Sequence, residues 1–196
     1  MIVVYDCEIK YGIVGRGEKK KNGIIYCKGW TDFVGMGISC ICAYDYETDR
    51  YRVFCDDNYD KFQDLIHKRS VIIGYNNHNF DDRLCEAHNI HIPKEKSYDL
   101  LVEIWRAVGL GPKFNFKTHG GYGLDAVIKE NRPSFGGKTD SGHKAPEYYQ
   151  EGKWGKLIDY CVADVFLTRE IVDMVITGGG IRDPKRKGNF IRVASP

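Results

Sequence analysis

Four apolar residues, IVVY at 2–5, run directly into the acidic stretch DCEIK. Val3 and Val4 are β-branched and Ile2 and Tyr5 also favour strands, so the segment predicts a buried strand. Side chains alternate along a strand, which puts Asp6 and Glu8 on one face about 6–7 Å apart. A Gly- and Lys-rich excursion at 12–30 follows and reads as a loop or extended hairpin. GMGISCICAYDY (35–46) and RYRVFC (50–55) predict two strands joined by the turn ETD. YDKFQDLIHK (59–68), with apolar residues at 62, 65 and 66, has the spacing of an amphipathic helix. SVIIGYNN (70–77) reads as a short buried strand, and FDDRLCEAHN (80–89) as a helix capped by Asn79. Helices are expected at 98–108 and 122–131, with the loop GLGPKFNFKTHGG between them. The longest helical stripe runs over 153–177, from Trp154 through Leu157, Cys161 and Val165 to Val175. The glycines at 178–180 stop it, and a basic hairpin is expected over 181–194. This order predicts one α/β domain spanning 1–196, a mixed sheet flanked by helices, without internal repeat or linker.

The chain has 196 residues, 42% of them hydrophobic, enough for one full core. A net charge of +2 excludes a polycation. The basic residues are clustered, with Arg16, Lys19, Lys20, Lys21 and Lys28 early and Arg182, Lys185, Arg186, Lys187 and Arg192 late. Such runs mark a solvated face or a phosphate contact, depending on what lies beside them. Seven cysteines, an odd number with no CxxC pair, read as reduced thiols of a cytoplasmic or other reducing compartment, not as a secreted disulfide framework. Met1 leads straight into the first strand, so no signal peptide is expected, and no stretch is long enough to span a membrane. HNIH (88–91) has no second ligand pair at zinc spacing and reads as surface histidines.

The remaining acids give Asp6 and Glu8 company. Asp81 follows a buried strand at the start of a helix, where it and Asp82 would offset the helix dipole. Tyr160 and Asp164 stand four apart on the long helix and share a face. Like charges brought together in a partly buried place repel unless a cation lies between them.

In their order, DCE, NNHNFD and YCVAD resemble the motifs of DEDD-type 3′→5′ exonucleases, whose fold is ribonuclease H-like. Tyr four residues before the last Asp resembles the DEDDy branch; the DEDDh branch needs His five before it, where this chain has Asp159. GYNNHNFD resembles the second exonuclease motif of family-B DNA polymerases. GLDAVIKEN, GGKTDSG and YCVADVFLTREI are similar to free-standing exonucleases related to those proofreading domains, and the likeness covers residues 1–175. It implies that Asp6, Glu8, Asp81 and Asp164 hold two Mg²⁺ or Mn²⁺ ions, as oxygen-only ligands favour hard cations. It implies that Tyr160 orients the attacking water and that Asn76, Asn79 and Phe80 meet the substrate. Ile9 stands where the polymerase motifs often carry Thr beside the 3′ end.

Lys19, Lys20 and Lys21, between Gly17 and Gly23, are expected at the nucleic-acid backbone or at a protein partner. Tyr11, Trp30, Phe33, Tyr75, Phe114, Phe116 and Tyr122 lie in or near loops and are suited to base stacking, although most of them individually read better as core or loop anchors. Single-stranded DNA is the expected substrate through the polymerase likeness alone, with RNA as the alternative. A phosphate-loop NTPase is set aside, because Arg132 stands where that motif needs Gly and Pro133 follows. The rival reading is a catalytically silent nucleic-acid-binding module on the same fold, which would not need a complete acid set.

Overall fold

A computed structural model describes residues 1–15, 17–135 and 144–196. Arg16 and residues 136–143, which hold most of FGGKTDSG, lie outside the described residues. β1 (Ile2–Ile9) is the central strand of a five-stranded sheet ordered β3-β2-β1-β4-β5. β2 (Ile38–Asp45) and β3 (Arg50–Phe54) continue it antiparallel on one side. β4 (Val71–Gly74) and β5 (Ser97–Asp99) run parallel to it on the other. The mixed, helix-flanked sheet expected from the sequence is therefore present.

Alternation along β1 sends its side chains to two cores. Val3, Tyr5 and Cys7 pack with α1 (Phe33–Met36), α2 (Tyr59–His67) and α3 (Asp81–Ala87). Val4, with Cys40, Cys42 and Tyr44 of β2, faces α4 (Leu100–Ala107), α5 (Leu124–Asn131), α6 (Lys144–Gln150) and α7 (Trp154–Gly178). A short 3₁₀ turn covers Pro133–Phe135. α7 buries Leu157, Cys161, Val165, Ile171, Val172 and Val175, the stripe read from the sequence. It ends where Gly179 takes a left-handed conformation at φ 74. β6 (Gly180–Arg182) and β7 (Phe190–Arg192) then pair antiparallel. At Gly180 an added Cβ would meet the Ile191 carbonyl oxygen at 1.9 Å, so no larger residue fits there.

Four local expectations are corrected. Residues 35 and 36 are not strand: Asp32 accepts from Gly35 N at 3.1 Å and caps the α1 turn, and β2 begins only after Gly37 at φ 62. β4 stops at Gly74 because Asn76 is left-handed at φ 68. Asn79 does not cap α3; Phe80 holds that position without a side-chain bond, while Asn79 Nδ2 donates to Asn76 Oδ1 at 3.0 Å. Residues 97–99 form β5, and α4 starts only after Asp99, whose carboxylate accepts from Leu101 N and Val102 N.

Candidate active site

The site forms where β1 ends. Asp6 lies opposite Cys42 and Glu8 opposite Cys40 on β2, so both acids share the Val4 face, toward α7. Glu8 is buried, Asp6 partly so, and an oxygen of each carboxylate lies within 4.8 Å of the other. The ladder shifts register between Glu8 and Ile9, which ends regular pairing at that point.

α7 brings Tyr160 and Asp164 to the same place, both buried, one helical turn apart. Burial pushes the Tyr160 phenol well above its ordinary value, and the charges of Asp164, Glu8 and Asp6 add to it. Its hydroxyl therefore stays protonated, able to donate to an oxygen or to a water.

Asp81 arrives from the other side of β1. Its Oδ1 accepts the backbone N–H of Cys7, the residue between Asp6 and Glu8 in the chain, at 3.1 Å. Burial is the main force raising its carboxyl to about 7; the Cys7 N–H opposes that, and the Asp82 charge adds to it. The loop before Asp81 is fixed by Asp99, whose Oδ1 takes Asn76 N at 2.9 Å and whose Oδ2 takes His78 N at 3.1 Å. One buried carboxylate thus starts α4 and shapes the turn leading to Asp81.

Asp82 lies in the first turn of α3, as expected of a dipole-offsetting acid, and it also holds a network of its own. It accepts from the buried Tyr5 hydroxyl, from Asn77 Nδ2 at 3.1 Å and from Ser97 Oγ at 2.7 Å. It ties β1, the 76–80 loop and β5 together and lies outside the cavity.

That cavity, of about 440 Å³, is lined by Asp6, Glu8, Asp81, Tyr160 and Asp164, with Ile9, Asn76, Phe80, Lys19 and Lys21 around them. Of the residues expected at the substrate, Asn79 and Lys20 do not line it. Asn79 is exposed, and Lys20 Nζ sits 5.6 Å from the centre of the Tyr26 ring. Of the loop aromatics, Trp30 and Tyr75 line the cavity. Phe33 and Tyr122 are buried, and Phe114 lies near Trp105 and His119.

Glu18, Tyr26, Pro146 and Glu147 also line it, unforeseen from the sequence. They come from the 12–30 excursion and α6, which are strapped together. Lys21 Nζ pairs with Glu147. Gln150 Oε1 accepts Ile25 N at 2.7 Å, and Gln150 Nε2 donates to Lys10 O at 2.9 Å and Ile25 O at 3.0 Å. The spacing of E147 and Q150, one turn of helix, carries no signal that a loop some 125 residues earlier docks there.

The acids offer oxygen donors that suit hard cations such as Mg²⁺ or Mn²⁺. A divalent cation among them would also offset the burial that chiefly raises the Asp81 carboxyl.

No family model and no curated protein sequence matches the chain. In fold it is similar to the family B DNA polymerase from the hyperthermophilic archaeon Pyrobaculum calidifontis, with a TM-score of 0.57 and 18% sequence identity. The match covers 89% of this chain and 24% of the polymerase chain. Among the described residues no helix is long and apolar enough to cross a membrane. The strand order and this likeness together give the chain a ribonuclease H-like α/β fold.

Proposed function

We propose that the chain is a divalent-metal-dependent 3′→5′ exonuclease of the DEDDy type, acting on single-stranded DNA. One observation supports this above the others: Asp6 and Glu8 of β1, Asp81 of α3, and Tyr160 and Asp164 of α7 line one cavity. Folding does not require that gathering, and burying the acids costs stability. The likeness in fold to a family B DNA polymerase is consistent with nucleic-acid chemistry.

In this reading Asp6, Glu8, Asp81 and Asp164 would hold two Mg²⁺ or Mn²⁺ ions, which when bound would activate water and stabilise the leaving oxygen. Tyr160, kept protonated by burial, would donate to the attacking water's surroundings and fix its line of approach. Hydrolysis breaks the terminal P–O3′ bond, places the water oxygen on phosphorus and delivers a proton to the departing 3′ oxygen. Trp30, Tyr75, Phe80 and Lys19 line the same cavity, where the aromatics would stack on terminal bases and the lysine would meet a phosphate. The test is degradation of a strand labelled at either end, with DNA and RNA compared. A ladder shortening from the 3′ end, with nucleoside monophosphate released, is expected. Binding without cleavage under Mg²⁺ and Mn²⁺ would leave a binding module, and cleavage of a circular strand would make the activity endonucleolytic.

A further inference from the structure

Behind Asp6, between the sheet and α7, lies a group of side chains that this chemistry does not use. Cys40 and Cys42 stand two apart on β2 and so share a face, and Cys161 meets them from α7. All three are 0% exposed, and their sulfur atoms lie within 4.8 Å of one another. Sulfurs around a tetrahedral zinc, with Zn–S near 2.3 Å, stand about 3.8 Å apart, so a small inward movement suffices.

A second donor set overlaps the first. Cys161 Sγ and one carboxylate oxygen each from Asp6 and Glu8 also lie within 4.8 Å of one another. Cys161 Sγ is 3.5 Å from the Asp6 carbonyl oxygen and 3.8 Å from Asp6 Oδ2. The thiol triad is therefore continuous with the acid cavity through a single residue.

Cysteine also serves as a small apolar filler, but that role does not ask three sulfurs to converge. Cys7 and Cys85, 3.7 Å apart between β1 and α3, show the lesser arrangement, a pair without a third ligand among the described residues. The sequence conceals the triad, because Cys161 lies 119 residues beyond Cys42 and no CxxC spacing announces it.

We propose that Cys40, Cys42 and Cys161 form a binding site for a soft d¹⁰ cation of the zinc class, with Asp6 as the oxygen donor, and that filling it draws Asp6 away from the acid cavity. Thiolate donors select such a cation over Mg²⁺. Its binding releases the three thiol protons to solvent. The site shares only Asp6 with the Mg²⁺ cage, and competes with it through that residue. The loss of Asp6 matters for activity only if the exonuclease reading holds; the binding itself does not depend on that reading.

The experiment titrates the full chain with Cd²⁺, following the ultraviolet thiolate-to-cadmium charge-transfer band, and displaces it with Zn²⁺. One Cd²⁺ per chain, with a band of three-thiolate intensity, is expected. Cys40→Ala and Cys42→Ala should each weaken binding by at least about 10–100-fold, since even a change outside the ligands costs that much. Cys85→Ala should leave the band unchanged. No band at one equivalent, or a band intact in both β2 variants, overturns the site. If either variant fails to fold, the other and the wild-type band intensity still decide. With Mg²⁺ saturating, added Zn²⁺ should suppress strand cleavage in wild type and spare Cys40→Ala; equal suppression in both overturns the withdrawal of Asp6. A band as expected in a chain that never cleaves would sink the exonuclease reading and leave the thiol site standing.

Discussion

Asp81 and Asp82 are adjacent in sequence, and at the residue scale they do opposite work. Asp81 is held toward the cavity by the Cys7 N–H, while Asp82 gathers Tyr5, Asn77 and Ser97. Two acids at a helix start have the same outward signature, so only the strand facing each one separates them. Asp82→Ala would leave the buried Tyr5 hydroxyl without this acceptor, and is expected to cost about 1–3 kcal/mol in urea unfolding. Unchanged stability would show that Tyr5 finds another partner. Tyr160 was legible from its spacing to Asp164, and its burial among acids could only come from the fold. Tyr160→Phe is expected to slow single-turnover cleavage by roughly 10²–10⁴-fold while strand affinity holds, the loss typical of a positioned acid–base or orienting group. An unchanged rate would make Tyr160 a packing residue.

Whole elements were read best where periodicity was long. The stripe of α7 runs for 25 residues and needs no tertiary help to be recognised. α1 and β5 span only 4 and 3 residues; the Asp32 side chain caps α1, and the Asp99 side chain ends β5 by starting α4. The 12–30 excursion illustrates the same limit. Its lysines look equivalent in sequence, but the fold sends Lys19 to the cavity, lays Lys20 over Tyr26 and pairs Lys21 with Glu147. Three independent phosphate contacts would lower the salt slope of strand binding by about 2–3 units. With these placements Lys19→Ala alone should lower it by about 0.7–0.9, and Lys20→Ala by nothing measurable. Anisotropy titrations of a labelled strand in Ca²⁺ at several salt concentrations measure this; equal effects from both lysines would mean the loop leaves α6 when it binds.

At the scale of the molecule, the buried Asp45–Arg69 pair and the acids of the cavity act on stability in opposite directions. At the far end of β2, Arg69 makes two bonds of 2.7 Å to Asp45, and these, with Thr48 Oγ1 and Glu47 N, hold the Asp45 carboxyl below its ordinary value. A lowered carboxyl favours the folded state above the unfolded value near 3.9, and that contribution is lost as pH falls through the lower folded value. Asp45→Asn should cost about 3–5 kcal/mol at neutral pH, because Arg69 stays buried without its counter-charge, and should flatten the acid limb of unfolding below about pH 4. A variant with the wild-type acid limb would refute this. The cavity acids run the other way, since gathering them opposes folding and Asp6→Ala or Asp164→Ala should leave the melt unchanged or raised. The most direct measurement is the single-turnover cleavage rate of a 3′-labelled strand as Mg²⁺ is titrated, in wild type, Asp6→Ala and Asp164→Ala. A two-metal centre on these acids requires saturable activation by Mg²⁺ or Mn²⁺, little rate with Ca²⁺, none after chelation, and no cleavage by either folded variant at any metal concentration. Near-normal turnover in either variant, or full activity after exhaustive chelation, would contradict it.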